Sequence, residues 1–591
     1  MSHPSVVLMS VDTLRFDSVG YQPERRYLSR YGLEHAVRTP NIDRLANTVA
    51  RFTQAVSVSS YTTPAHASLL SGLYPPSSGV RAFYKTALVA NAETLAARFR
   101  RRGYQTLALS DAPELFMPLG LFAGFQRTFG PELGPDYERR FLRALNVSAE
   151  RGPVMAFVHI YDVHDPYLLM RSSPNPRDND EFLRMIQTVA DLYDVRGLDP
   201  GDQVYSLFRR LVAELPGGKK PAAVFLPYYL KGVTRFDQGR LTRYLDLFER
   251  LGWLDHGIVT LVSDHGEAEV DGHFDHWHPL VEELVRIPLL VHAPAHVAAA
   301  THTQQVSIVD VAPTLLELSG GGPEVLGGLE GRSLVPLLRG EPVTGDSLGY
   351  GEFWVAQSPG GTDVPEEPPT PGETRLGRQF RSLPSRYWWP AERMLRDPEG
   401  KVVVRGPIER LAEADRSGLS DREFVDTLFQ AVYGSHPPPE QLEREVALLA
   451  GARITRGQLR EMYLNQESLT LSPRVVRFDL AGDPWEERPI VETRTPREAF
   501  ELGAAVATIA ALSARARPAP AAFVNQGPPP PDDRDEADDI PPMDDPPGWV
   551  HPDGARETNI PEPSGTDRDQ PDYSEDERAA VAQRLADLGY L

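Results

Sequence analysis

The 591-residue sequence contains no cysteine. Disulfide bonds, thiolate metal ligands and cysteine nucleophiles are therefore excluded. Basic residues are also scarce relative to acidic ones, since 61 Lys and Arg face 83 Asp and Glu and give a formal net charge of -22. A chain this acidic repels polynucleotides and anionic membranes. We expect neither a nucleic-acid nor a membrane partner, whereas a small anionic molecule can still bind where a metal ion reverses the local field.

Long hydrophobic runs and several common catalytic motifs are missing as well. The N-terminal segment MSHPSVVLMSVDTLR has a short apolar run with no basic region or cleavage site before it, which predicts a cytoplasmic protein. No GxGxxG, Walker A, HExxH or GxSxG motif occurs in a usable strand-turn-helix context. The chemistry must therefore come from other residues.

Short apolar runs recur along the first half of the chain, as SVVLMSV, QTLALSD, PVMAFVHIYD, GIVTLVSD and RIPLLVHAP, with helical stretches such as ETLAARFRRRG between them. Such runs are typical of strands buried on both faces. The alternation predicts an α/β fold with a central, mostly parallel sheet and helices on both faces. Asp12, Asp111, Asp162 and Asp264 follow four of these runs, so we expect them at the carboxyl edge of the sheet, where ligands bind.

One stretch, SSYTTPAHASLLSGLYP from Ser59, resembles the nucleophile motif of sulfatases. In that motif Cys or Ser is followed by x-Pro-x-Arg and, after a helix of small residues, by Thr-Gly-x-Tyr-Pro. Alignment on Pro64 places Thr62 at the nucleophile and His66 where arginine is usual. Threonine at this position resembles the phosphodiesterase and pyrophosphatase branch of the alkaline phosphatase superfamily. By itself, TTP is also typical of an ordinary helix start.

The threonine bears on the reaction type that the resemblance implies. Sulfatases oxidise the Cys or Ser to formylglycine, and threonine cannot give that aldehyde. A metal-bound threonine alkoxide can still attack phosphorus, because coordination lowers the pKa of the hydroxyl. Phosphoryl chemistry is therefore favoured over sulfuryl chemistry.

Two further motifs imply a metal centre. VDTLRFDSVG resembles the first metal strand of the family, in which Asp-Asp is usual; here Val11 replaces the first Asp and Asp12 remains. LVSDHGE supplies Asp264 and His265. The resemblance implies a divalent metal held by Asp12, Asp264, His265 and Thr62. This mixed donor set favours Zn or Mn, with Ca or Mg possible and with one or two ions.

The stretch FVHIYDVHDPY resembles the family's Asp-x-His-x-Pro-Tyr segment. It nominates Asp162 as a metal ligand and His164 as a contact to the ester oxygens. His159 in the same stretch suits a structural role as well as a ligand role.

The histidines of GHFDHWHPLVEE form a second group of candidates. His278 stands where relatives carry a Lys or His that binds the substrate or a second metal. His276 is a further candidate for substrate binding, and His273 competes with it.

Composition divides the chain into four parts. Residues 1–345 form the predicted sulfatase and alkaline phosphatase-like catalytic domain, with a helical insertion at about 166–229 that could form a lid. Residues 346–517, with Pro-rich turns, the strand KVVVR and charged helices, predict a smaller α+β domain. Residues 518–573 are rich in Pro and Asp and too poor in aliphatic residues to offset their ordering entropy, which predicts a disordered linker. Residues 574–591 predict a helix that docks on the folded body.

Together these motifs predict a metal-dependent hydrolase that cleaves a phosphate mono- or diester through a covalent Thr62 intermediate. His66 and His164 are its other candidate catalytic residues, and its substrate is a small anionic ester. The alternatives are a sulfatase, a phosphotransferase, or a catalytically silent relative that uses the same fold for binding. No particular oligomeric state is indicated.

Overall fold

The computed structural model describes residues 3–82, 88–89, 92–169, 179–198, 204–270, 273–276, 280–341, 347, 349–356, 388–398, 400–405, 418–433, 437–464, 474–480 and 491–492. The predicted linker at 518–573 and the predicted terminal helix at 574–591 lie outside these residues. Within the described part of the chain, none of the helices has the length and apolar character needed to cross a membrane.

A mixed sheet lies at the centre of the fold. The strands up to residue 307 are β1 (Val6–Val11), β2 (Ala50–Val56), β3 (Gln105–Ser110), β4 (Arg127–Phe129), β5 (Val154–Ile160), β6 (Ile258–Val262), β7 (Ala268–Val270), β8 (His273–Asp275), β9 (Arg286–His292), β10 (Ala300–His302) and β11 (Val306–Ser307). Nine of them pair in the order β10-β2-β9-β6-β1-β5-β3-β4, with β11 also on β2, while β7 and β8 form a separate hairpin. Only β9 runs antiparallel to its neighbours, so the predicted, mostly parallel sheet is confirmed.

Helices cover both faces of this sheet. They are α1 (Arg26–Ser29), α2 (Pro40–Ala46), α3 (Thr62–Ser71), α4 (Pro75–Ser78), α5 (Leu95–Arg101), α6 (Tyr137–Arg151), α7 (Asp180–Tyr193), α8 (Val204–Glu214), α9 (Ala222–Arg235), α10 (Thr242–Arg250), α11 (Trp253–His256), α12 (Glu282–Val285), α13 (Val311–Leu318), α14 (Pro323–Leu326) and α15 (Val335–Leu338). A π-helical turn over Phe236–Leu241 connects α9 to α10. The helices on the two faces bury two separate apolar cores.

Strand β1 shows why a continuous apolar run forms the centre of the sheet. All six of its residues are buried. Val6 and Leu8 point into the core formed with α3, α5 and α13, whereas Val7 and Met9 point into the core formed with α6, α7 and α9. Each such side chain contributes about 1.5–3 kcal/mol by leaving water.

The predicted insertion is helical and belongs to the second of these cores. Helices α7 and α8 and the first half of α9 fall within it. Phe182, Phe225 and Tyr229 of these helices are fully buried together with the apolar residues of β1 and β5. The insertion is therefore packed against one face of the central sheet.

A second, antiparallel sheet follows residue 348. Its strands pair in chain order and are β12 (Gly349–Ala356), β13 (Trp388–Arg396), β14 (Gly400–Arg405), β15 (Arg474–Asp479) and β16 (Val491–Glu492). Three helices accompany it, over Asp421–Tyr433, Pro439–Ala450 and Arg456–Leu464. This is the α+β character predicted for the C-terminal part, whose boundaries at 346 and 517 stay predictions.

A buried ion pair joins the two sheets. Arg396 of β13 donates from Nε and Nη2 to the two carboxylate oxygens of Glu282 in α12, at 2.8 Å each. Lys401 of β14 donates to the carbonyl of Leu280 at 2.7 Å and lies 3.5 Å from Glu282. Since α12 follows the loop that carries Asp264 and His265, the second sheet supports the segment behind the candidate site.

Candidate metal centre and nucleophile

The ends of two adjacent strands bring the main predicted residues together. Strands β1 and β6 are parallel neighbours, and Asp12 directly follows β1 while Asp264 and His265 follow β6. One potential ligand atom from each of these three residues lies within 4.8 Å of the others, and all three side chains are fully buried. A parallel sheet gathers such residues because its strands all end at one edge.

Asp264 and His265 are oriented by backbone groups. The Oδ1 atom of Asp264 accepts hydrogen bonds from the amides of Thr13 at 3.1 Å and His265 at 2.9 Å. Its Oδ2 atom makes no hydrogen bond with a described residue and lies 3.3 Å from Nε2 of His265. Nδ1 of His265 donates to the carbonyl of Gly266 at 3.0 Å, so Nε2 keeps its lone pair for a ligand.

Asp12 is held by a histidine rather than by the backbone. Its Oδ2 atom lies 3.0 Å from Nε2 of His159, whose Nδ1 lies 2.9 Å from the hydroxyl of Ser110. The Oδ1 atom of Asp12 makes no hydrogen bond within the described part of the chain. Burial, followed by the charge of Asp264, raises the pKa of Asp12 to about 6.

These observations fit a divalent cation. Asp12 and Asp264 each carry a buried oxygen without a hydrogen bond among the described residues, and two such carboxylates repel each other. Burial lowers the pKa of His265, which keeps the imidazole neutral, as a metal ligand must be. A cation between them would remove the repulsion and satisfy all three residues.

Thr62 is the first residue of α3. Its Oγ1 atom lies 3.3 Å from Nε2 of His265, and the residue is fully buried. Pro64 falls in the first turn, where its missing N–H breaks no intrahelical bond, and the helix ends at Gly72 in a left-handed conformation with φ of 66°. The hydroxyl is therefore placed at the positive end of a buried helix.

His66, one turn further along α3, contacts the backbone of Thr62. Its Nδ1 atom donates to the carbonyl of Thr62 at 2.8 Å and lies 3.5 Å from Oδ2 of Asp264. Its Nε2 atom accepts from the hydroxyl of Ser10 at 2.8 Å. Burial lowers the pKa of His66, so a neutral imidazole stands where the family usually has a charged arginine.

His164 and His276 form a second pair beside His265. The rings of His164 and His276 have centroids 4.8 Å apart, as do those of His276 and His265. Nδ1 of His164 donates to the carbonyl of Asp165 at 2.8 Å, and Nδ1 of His276 lies 2.5 Å from Oε1 of Glu267. Burial alone would lower the pKa of His276, but Glu267 raises it to about 9. His276 is therefore a positive charge next to the cluster.

Asp162, predicted as a metal ligand, is not part of the Asp12, Asp264 and His265 cluster. Its carboxylate lies 3.0 Å from Nη1 of Arg240 in the π-helical turn. The same guanidinium binds both oxygens of Asp111, at 2.5 and 2.8 Å, and Glu138 at 2.6 Å. Arginine therefore supplies the positive charge on this side of β1.

Two of the other predicted histidines lie at β8. His273 and His276 begin and follow this strand, whereas His278, predicted to bind substrate or metal, lies outside the described residues. The motifs gave no indication of Arg240, of Lys220, which lies 3.0 Å from Asp165, or of Tyr229, which donates to the carbonyl of Thr13. All three come from distant positions in the sequence. Glu267, the partner of His276, was predictable as a site residue because it directly follows the Asp-His-Gly triplet.

By the family to which it belongs, the chain is a hydrolase that acts on sulfuric or phosphoric ester bonds. The Sulfatase family model matches residues 4–321, and the chain belongs to that family, within the alkaline phosphatase superfamily. It is 24% identical over 395 residues to the N-acetylglucosamine-6-O-sulfatase of Bacteroides thetaiotaomicron, which covers 54% of this chain and 69% of that relative.

Two solved structures share the fold. A protein in complex with its substrate, D-glucosamine-2-N,6-O-disulfate, has a TM-score of 0.52 and 17% identity, covering 87% of this chain and 98% of its own. The phosphonate monoester hydrolase of Agrobacterium radiobacter has a TM-score of 0.51 and 19% identity, covering 87% and 96%.

Proposed function

We propose that this chain hydrolyses a small anionic phosphoric ester, with Thr62 as the nucleophile and one divalent ion held by Asp12, Asp264 and His265. The observation that carries the proposal is the position of the Thr62 hydroxyl, 3.3 Å from Nε2 of His265 at the start of a buried helix. Two carboxylates and one imidazole suit Zn or Mn better than Ca, which prefers six to eight oxygen ligands.

The proposed reaction consists of two successive displacements at phosphorus. When bound, the ion lowers the pKa of the Thr62 hydroxyl and neutralises charge on the transferred group. The Thr62 hydroxyl loses its proton as its oxygen forms a bond to phosphorus, the bond from phosphorus to the leaving oxygen breaks, and the leaving oxygen takes up one proton, so that the proton count is unchanged. A water molecule next attacks phosphorus, the bond to Thr62 breaks, and the threonine regains its proton. The start of α3 stabilises the anionic oxygens throughout.

His276 and His164 act on the ester from the other side of His265. Because Glu267 keeps His276 protonated, His276 can donate a hydrogen bond to a nonbridging oxygen or give its proton to the leaving group. His164, whose Nδ1 donates to the carbonyl of Asp165, keeps its predicted role as a further contact to the ester oxygens in this proposal. His278 keeps its role as a further substrate or metal contact in this proposal.

A sulfuric ester is the second candidate substrate. The family match and the 24% identity to a sugar sulfatase favour it. Against it stands the threonine, which cannot be oxidised to the aldehyde that sulfatases use. A phosphotransferase would use the same first step with an alcohol in place of water.

The test is a substrate panel with two neighbouring threonine variants. Purified protein supplied with Mn or Zn is assayed on p-nitrophenyl phosphate, bis-p-nitrophenyl phosphate and p-nitrophenyl sulfate. Thr62→Ala should lower phosphoester turnover by at least about 1,000-fold, since the nucleophile is lost. Thr63→Ala is the matched control, because Thr63 is equally buried and its hydroxyl makes no hydrogen bond with a described residue.

Each outcome discriminates between the candidates. Phosphoester turnover that requires Thr62 supports the proposal, and the ratio of monoester to diester rates defines the preferred substrate. Sulfate turnover that persists in Thr62→Ala contradicts the nucleophile assignment. Stoichiometric metal binding without turnover of any of the three esters would favour the silent binding protein.

A further inference from the structure

Tyr229 connects the helical insertion to the turn that follows β1. It lies in α9 and is fully buried. Its hydroxyl donates to the carbonyl of Thr13 at 2.8 Å and accepts from the amide of Arg15 at 2.8 Å. One side chain thereby satisfies two backbone groups of the same turn, more than two hundred positions away in the sequence.

The turn that Tyr229 holds has an unusual conformation. Thr13 has a φ of 57°, in the left-handed region that a β-branched residue rarely adopts. Such a conformation persists only when neighbouring groups hold it. In this conformation the amide of Thr13 donates to Oδ1 of Asp264 at 3.1 Å, and the next amide, that of Leu14, donates to Ser263 at 2.9 Å.

The turn thus decides which oxygen of Asp264 remains available. With Oδ1 fixed by the amides of Thr13 and His265, Oδ2 faces Nε2 of His265 at 3.3 Å and makes no hydrogen bond in the described part of the protein. If the Thr13 turn relaxed, Asp264 would lose one of its two orienting bonds and could rotate.

The insertion makes two more contacts to the same region. Tyr167, at its start, donates to Oε2 of Glu267. Lys220 lies 3.0 Å from Asp165 and 4.0 Å from Glu267, with its side chain only 6% exposed. The insertion therefore supports the residues behind the metal cluster in addition to covering the sheet.

We propose that Tyr229 is a positioning residue for the metal centre, and that the insertion braces the ligand Asp264 through it. The proposal deepens the function proposed above and rests on Asp12, Asp264 and His265 being the metal ligands. The Tyr229 hydroxyl acts on the turn, where it contacts Thr13, Arg15 and Ser18. Groups bonded directly to a metal ligand typically change metal affinity by about 10–100-fold when removed, and Tyr229 acts one residue further away, through Thr13, so the lower end of that range applies.

The experiment compares Tyr229→Phe with Tyr228→Phe in the full-length protein. Tyr228 is the neighbouring residue of the same helix and is only partly buried. Each variant therefore removes one tyrosine hydroxyl, but only Tyr229→Phe removes the one that contacts the Thr13 turn. Mn²⁺ affinity is measured by isothermal titration after chelator treatment, with Asp264→Asn alongside. Hydrogen exchange of the Thr13–Arg15 amides is measured in the metal-free proteins.

We expect Tyr229→Phe to bind Mn²⁺ roughly 10-fold more weakly and to exchange the Thr13–Arg15 amides faster, with Tyr228→Phe matching the wild type on both. Wild-type affinity or wild-type exchange in Tyr229→Phe would overturn the proposal, as would an equal loss in Tyr228→Phe. If Asp264→Asn binds Mn²⁺ like the wild type, the metal centre of the proposed function is wrong, and with it the role of Tyr229 toward that centre. A normal Tyr229→Phe beside a defective Asp264→Asn overturns the present inference alone.

Discussion

Replacement of Glu282 by Gln tests the ion pair that joins the two sheets. The side chains of Glu282 and Arg396 are only 3% and 1% exposed, and two hydrogen bonds of 2.8 Å connect them. Removing the Glu282 charge leaves the buried guanidinium of Arg396 without this counter-charge, although its hydrogen bonds to the neutral side chains of Gln305 and Gln54 remain. Breaking a buried pair in this way typically costs about 3–5 kcal/mol.

The pKa of Glu282 gives a second measure of the same interaction. Burial opposes its ionisation, yet Arg396 and Lys401 lower its pKa from 4.5 to about 2. This difference corresponds to about 3 kcal/mol of stability at pH 7. Because the pKa is lower in the folded state, the stabilisation is complete above the unfolded pKa and is lost as the pH falls through 4.5 toward 2. At pH 3 about 1.4 kcal/mol should remain.

Urea unfolding followed by tryptophan fluorescence measures both effects. At pH 7 we expect Glu282→Gln to lower the free energy of unfolding by about 3 kcal/mol, and at pH 3 by about half as much. The control is Glu283→Gln: burial raises the pKa of Glu283 from 4.5 to about 7, so its ionisation costs stability as the pH rises from 4.5 through 7, and its loss should not destabilise the protein at pH 7. A deficit below about 0.5 kcal/mol at pH 7, or one that is unchanged at pH 3, would refute the reasoning.

Three further predictions concern the site and its surroundings. Arg240→Met leaves Asp111 and Asp162 without the guanidinium that pairs with them, while Glu138 keeps Arg243, and should cost about 3–5 kcal/mol in denaturant unfolding. The more exposed Arg243→Met should cost less than about 1 kcal/mol, because Glu138 keeps Arg240; equal losses would contradict the network. Gly266→Ala would bring its Cβ to 2.0 Å from a backbone carbonyl and should weaken Mn²⁺ binding in titration calorimetry, while Gly239→Ala, whose Cβ meets nothing within 4 Å, should bind normally. Chelation should abolish turnover and lower the melting temperature, with Mn or Zn restoring both; full activity after exhaustive chelation would rule out the metal mechanism.

The architecture of the sheet was predictable because it depends on local signals. The apolar runs that end before Asp12, Asp111 and Asp264 are strands β1, β3 and β6, and each run reflects burial on both faces. The strand order could not be derived in the same way. Strand β9 lies between β2 and β6 and runs antiparallel to both, although its run of apolar residues resembles those of the parallel strands.

The site was predictable only as far as neighbours in sequence define it. Asp12, Asp264 and His265 each follow a strand, so their approach within 4.8 Å follows from the sheet. Asp162 follows a strand as well, but whether a metal or an arginine neutralises it depends on Arg240, which lies 78 positions later in a π-helical turn. Tyr229 and Lys220 were not predictable for the same reason, because contacts between residues distant in the sequence produce no periodic sequence pattern.

In the proposed function, two cations of different kinds lie at the edge of the sheet. One is the guanidinium of Arg240, and the other is the bound metal ion. The guanidinium that neutralises Asp111 and Asp162 is covalently attached and cannot be withdrawn, whereas the ion proposed between Asp12 and Asp264 would exchange with solution. A chelator would therefore unbalance only the side of the edge next to β6. The half next to β3 and β5 would keep its neutrality and its order. The metal-free protein would therefore retain an ordered sheet edge to which the ion can bind again.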